Sequence, residues 1–175
     1  DKNKIYYGLG AIKSVGFEAI SNIIKEREKN GKYKSLEDFI SRTDPKDANK
    51  LQLEGLVKAG AFDEIDNNRK KLFSSIPKII LSIKSKYEEK TSNQKNLFEN
   101  IYDKEPEKFE FISNKHWSKK ELLSEEFSSL GFYISDHPLN EYKELFIEMK
   151  IKSYKSFIEE DDINEGLVAG TIMSI

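Results

Sequence analysis

Large apolar residues recur at three- and four-residue spacing along most of this chain, and the repeat lapses only near its middle. Ile20, Ile23 and Ile24, with Ala19 beside them, share one face of a helix predicted over residues 17–27. Leu53, Leu56 and Val57 form a second stripe, and Leu72, Phe73, Ile76, Ile79, Ile80 and Ile83 a third. Leu123, Phe127 and Leu130 make a fourth, and Leu139, Tyr142, Leu145, Phe146 and Met149 a fifth. A chain patterned this way buries helix against helix, so the predicted class is mainly α.

Capping residues punctuate the stripes. Asn30-Gly31 closes the first helix, and Ser35 opens a short one through Phe39 and Ile40 that ends before Asp44-Pro45. Asn49 caps the next, which stops at Gly60, and Asn67 or Asn68 starts the following one, where Pro77 predicts a kink or break. Ser118 with Glu121 forms a capping box, and Gly131 ends that helix. Residues 84–114, rich in Lys, Glu, Asn and Ser, read as loop or linker. Residues 166–175 are β-prone and read as the first strand of a β-domain. The chain begins at Asp1 rather than Met and ends inside that strand, as a piece of a longer protein would. The predicted organisation is a helical domain over 1–90, a loop over 91–114, a helical connector over 115–150 and the start of the β-domain over 151–175.

The 175 residues are 34% charged with a mean hydropathy of −0.66 and no cysteine. No apolar run approaches the roughly 20 residues a membrane helix needs. Disulfides and thiolate metal sites are excluded, and the composition suits a reducing cytoplasm. The net charge of −2 conceals a split: residues 1–90 hold 19 Lys/Arg against 14 Asp/Glu, and the remainder 10 against 17. The basic half favours phosphate backbones.

Catalysis is not expected within this chain. Glu159-Glu160-Asp161-Asp162 lies in a polar turn where like charges are simply solvated, and His116 and His137 are far apart. No phosphate-cradling glycine loop and no nucleophile with a base is present, so no catalytic residue, metal ligand or cofactor is assigned.

Two stretches can bind. Lys13-Ser14-Val15-Gly16 is a tight turn ahead of a helix, the pattern of a helix-hairpin-helix. The N–H groups at such a helix start attract a phosphate, Gly16 permits close approach and Lys13 adds a point charge. The common form has a second glycine where Ser14 stands, and a purely structural turn with Val15 as a core plug is the competing reading. The second stretch, residues 91–100, places Leu97 and Phe98 in polar surroundings with Gln94 three residues ahead. Either the two apolar side chains fill a pocket on a partner, with Gln94 hydrogen-bonding at its mouth, or they fold back on adjacent helices.

Four stretches in order carry a resemblance: YGLGAIKSVG at 7–16, YKSLEDF at 33–39, LVKAGAFD at 56–63 and LGFYISDHPL at 130–139. Together they resemble the alpha subunits of bacterial DNA polymerase III, the replicative family C polymerases, over essentially the whole chain. Asp136, where that family often has glycine, is a departure. The resemblance implies a helix-hairpin-helix, clamp-binding domain followed by the first strand of a truncated oligonucleotide-binding (OB) β-domain. Gln94, Leu97 and Phe98 would then belong to an internal pentapeptide that binds the sliding clamp, the beta subunit. Lys13, Ser14, Val15 and Gly16 would lie over the backbone of duplex DNA without reading its sequence. The parent would be a cytoplasmic DNA-directed DNA polymerase, a nucleotidyltransferase whose magnesium and palm aspartates lie outside this chain, and other replicase subunits would bind elsewhere on it. The alternatives are a helix-hairpin-helix module of a DNA-repair enzyme with a passive linker, and a purely structural connector.

Overall fold

Local capping chemistry decides where each helix begins. The computed structural model describes residues 7–92, 108–159 and 165–172. Helix α1 (Phe17–Asn30) starts at Gly16 and stops at Gly31, whose φ is 83°. Helix α2 (Leu36–Arg42) is capped by the Ser35 hydroxyl, which accepts from the Asp38 N–H. Asn49 and Gln52 form a reciprocal capping box on α3 (Lys50–Lys58), and the Asn68 side chain accepts from Lys71 N–H to start α4 (Arg69–Thr91). Ser118 and Glu121 form the box predicted for α5 (Lys119–Leu130), which ends at left-handed Gly131. Among the described residues the fold is mainly helical, as the stripes predict.

Two compact units divide the chain, residues 1–132 and 133–175. In the first, Leu53, Leu56 and Val57 of α3 are buried with Leu72, Ile76 and Ile79 of α4. Phe39 of α2 packs edge-on against Phe62 and Tyr33, with ring centroids 5.0 and 5.2 Å apart. Arg69 is buried at the start of α4, where its guanidinium donates to Asp63, to the Lys58 carbonyl and to Glu126 of α5. Glu126 is fully buried, so this ion pair ties α5 to the turn between α3 and α4. In the second unit, a 3₁₀ turn (Pro138–Tyr142) leads into α6 (Lys143–Glu148), and α7 (Tyr154–Ile158) follows. His137 Nδ1 accepts from Leu139 N–H, with Pro138 at the first helical position as expected.

Several expectations are corrected. Helix α4 runs through Pro77 and on to Thr91, so of the kink or break expected at Pro77 the break does not occur, and the loop expected from residue 84 begins as helix. Pro77 is exposed, while Ile76, Ile79 and Ile83 on the same helix are buried. Burying three such side chains at about 1.5–3 kcal/mol each outweighs a proline cost of about 3 kcal/mol. Residues 84–91 are exposed on every side, which leaves a helix with no apolar stripe to read.

The described end of the expected linker, residues 108–114, is pinned down. Phe109 N–H donates to Glu37 Oε1 at 2.9 Å, Ile112 N–H to Ser75 Oγ at 3.1 Å, and Asn68 Nδ2 to the Asn114 carbonyl at 3.3 Å. Phe109 and Phe111 pack on the core. Ahead of the hairpin, Leu9–Ala11 form a single 3₁₀ turn, and the helix expected over 139–149 is the 3₁₀ turn followed by α6. The predicted OB-type strand is absent from its described part, residues 166–172. A strand is held by a hydrogen-bonded neighbour, and no described residue supplies one.

Candidate nucleic-acid interface

The turn at residues 13–16 is built from both directions along the chain. Ahead of it, Tyr7 OH donates to the Ala11 carbonyl, and Ile12 is buried. Val15 N–H donates to the Ile12 carbonyl at 3.3 Å and closes the turn, and Lys13 N–H donates to the Ser129 carbonyl at 2.9 Å. The last turn of α5 thereby fixes the height of the hairpin. Ser14 takes φ 66°, the left-handed conformation that makes glycine the common residue there.

Helix α3 accepts the hairpin through Gly55. A Cβ at Gly55 would come within 2.8 Å of the Lys13 carbonyl oxygen and 3.1 Å of Val15 Cγ2. Val15 is half-buried in this contact, whereas Lys13, Ser14 and Gly16 are exposed. The hairpin therefore presents its polar edge to solvent and its valine to the protein, so the structural and the binding readings describe opposite sides of one turn.

The edge suits an anion. Gly16 is the N-cap of α1 and offers no side chain to the free N–H groups of the first turn. Lys13 forms no ion pair with a described residue, while Glu18 in the first turn of α1 brings a negative charge that opposes an anion. Phe17, 80% exposed, flanks the turn. Lys32 and Lys34, which sequence proximity suggests as supporting cations, lie beyond the other end of the 14-residue α1, about 21 Å along its axis. Lys32 pairs there with Glu64. Sequence reading missed Gly55 and Ser129 as supports of the turn, and Gln52 as a neighbour of Gly16. A glycine inside the α3 stripe was the one available signal, since such a residue marks close backbone approach.

The remaining predicted site residues, Gln94, Leu97 and Phe98, lie outside the described residues. His116 lies beside Asn68 Nδ2, and His137 caps its own turn, so neither belongs to a shared site. No group of three His, Asp or Glu among the described residues could hold a metal ion. No described helix is long and apolar enough to cross a membrane.

Comparison with known proteins places this hairpin in a family. A family model described as a helix-hairpin-helix motif matches residues 1–72. The DNA polymerase III subunit alpha of Borreliella burgdorferi is 44% identical over 141 residues, 79% of this chain and 12% of the relative. That of Helicobacter pylori is 40% identical over 168 residues, 94% of this chain and 13% of the relative. That of Rickettsia bellii is 39% identical over 172 residues, 97% of this chain and 14% of the relative. The chain belongs to the DNA polymerase III alpha-subunit family. It spans only 12–14% of the length of these relatives. The stretch LVKAGAFD holds the Gly60 and Asp63 that lodge Arg69, and LGFYISDHPL holds the Gly131 stop and the His137 cap. With the Ser35 cap in YKSLEDF and the hairpin bonds in YGLGAIKSVG, all four resembling stretches have direct structural reasons for their sequence.

Proposed function

We propose that this chain is the part of a replicative DNA-directed DNA polymerase that holds the enzyme on its template. The observation that carries the reading is the exposed, side-chain-free N-terminus of α1 at Gly16 with Lys13 beside it. A phosphodiester seated there accepts from backbone N–H groups, which carry no base information, so binding to duplex DNA is sequence-independent. The parent polymerase's bond-making chemistry, with its magnesium, and its contacts to other replicase subunits belong to the rest of that chain, at work in the cytoplasm.

The second contact is with the sliding clamp. Gln94, Leu97 and Phe98 follow the exposed end of α4 by a few residues, and their order suits an anchor that enters a pocket on a partner. Burying Leu and Phe is worth about 1.5–3 kcal/mol each, which after the entropy of ordering the peptide leaves an affinity around the micromolar range. Such an affinity suffices because clamp and hairpin act on the same duplex, and each contact raises the effective concentration of the other. Titration of the chain with a bacterial sliding clamp tests this. Leu97→Ala with Phe98→Ala should abolish measurable binding and leave the melting temperature unchanged. A double variant with wild-type clamp affinity overturns the assignment.

A further inference from the structure

Gln52 is 8% exposed and sits at the third position of α3. Its Oε1 accepts from Asn49 N–H at 3.3 Å, as the capping box requires, and this fixes which end of the carboxamide is oxygen. The nitrogen must then point the other way. Nε2 lies 3.1 Å from the position a Cβ would take on Gly16, the N-cap of α1. No described residue accepts a hydrogen bond from it. Every buried side-chain nitrogen and oxygen of the described residues has a partner, so Nε2 reaches the surface at this point. A largely buried side chain with one amide donor left over is thus aimed at the helix start that the hairpin exposes.

We propose that Gln52 is a further phosphate-binding residue, its Nε2 donating to the same DNA phosphodiester that seats on the first turn of α1. The proposal rests on the duplex-binding reading above and extends it from the hairpin to α3. The capping box holds the carboxamide from behind, so little side-chain freedom is lost on binding. The donor is neutral and adds a directional bond where Lys13 adds a point charge. The two therefore differ in their response to salt: the lysine contact weakens as salt rises, and the glutamine contact holds.

The test uses the whole chain, a short duplex and fluorescence anisotropy at low ionic strength. Gln52→Glu keeps an oxygen on the Asn49 N–H and removes the donor. Leu51→Glu, on an exposed neighbour, adds the same charge without touching the carboxamide. The expected result is binding about ten-fold weaker for Gln52→Glu than for Leu51→Glu, at unchanged melting temperature. Equal affinity of these two variants, with Lys13→Glu still weakening binding, overturns the role of Gln52 and spares the hairpin. Absence of wild-type binding, or a Lys13→Glu variant equal to wild type, overturns both. Should Gln52→Glu fail to fold, the wild-type Gln52 side-chain NH₂ resonance decides: a shift on adding duplex supports the contact, and an unmoved resonance overturns it.

Discussion

At the scale of single residues, two backbone positions with positive φ make opposite demands. Ser14 holds φ 66° in the exposed hairpin, where a side chain has room but the backbone is strained. The left-handed conformation costs a non-glycine residue about 1–2 kcal/mol, partly offset by glycine's greater freedom when unfolded. Ser14→Gly should therefore stabilise the chain by about 0.5–1 kcal/mol in urea denaturation, and Ser14→Val should destabilise it. Gly60 has both strain and crowding: φ is 79°, and a Cβ would lie 2.7 Å from Arg69 Cζ and 2.7 Å from Asp63 Oδ2. Gly60→Ala should cost about 3 kcal/mol or more, because it displaces a guanidinium that pairs with fully buried Glu126. A urea midpoint equal to wild type would contradict this account of the turn.

At the scale of elements, the segment after residue 108 is held by single hydrogen bonds rather than by regular structure. Burial pushes the Glu37 carboxyl up, but hydrogen bonds from the Phe109 and Glu37 N–H groups and the Ser35 hydroxyl outweigh it and leave the pKa below its ordinary value. A depressed carboxylate contributes stability above its unfolded pKa and loses it as pH falls through the folded one. Acidification below about pH 4.5 should therefore loosen the Phe109 contact. Amide hydrogen exchange at Phe109, corrected for intrinsic rates, should accelerate there relative to pH 7. In Glu37→Gln, whose amide oxygen still accepts, that pH dependence should disappear. An equal response in both proteins would show that Glu37 is not the titrating contact.

For the whole molecule, charge placement sets how the proposed DNA binding should respond to salt. The first 90 residues carry a surplus of five positive charges, yet Lys32 and Lys34 lie at the end of α1 away from the hairpin. Few phosphates are then within reach, so the slope of log K against log salt should be shallow, about −2. Lys13→Glu should weaken binding to all duplex sequences alike, whereas Lys32→Glu should match wild type. Anisotropy titrations at several salt concentrations check both statements. An equal loss from the two substitutions would show that overall charge, not the hairpin edge, governs binding.

Helix starts and stops were readable in the residues because capping is local. Asn49, Ser118 with Glu121, and the glycines at 31 and 131 act within a turn of themselves, and the structure adds Gln52 as the reciprocal partner of Asn49. The hairpin was readable for the same reason, as Lys13 to Gly16 is one turn. What only the tertiary structure decided involves partners far apart in sequence. Helix α4 passes Pro77 because its buried stripe meets α3, and Phe109 is held by a carboxylate 72 residues away. The hairpin's height depends on Ser129 and Gly55, and the approach of Gln52 Nε2 to Gly16 depends on how α3 seats the hairpin at Gly55. Periodicity reports which face of a helix is apolar, while packing sets which other helix covers it and which polar atoms are left facing out.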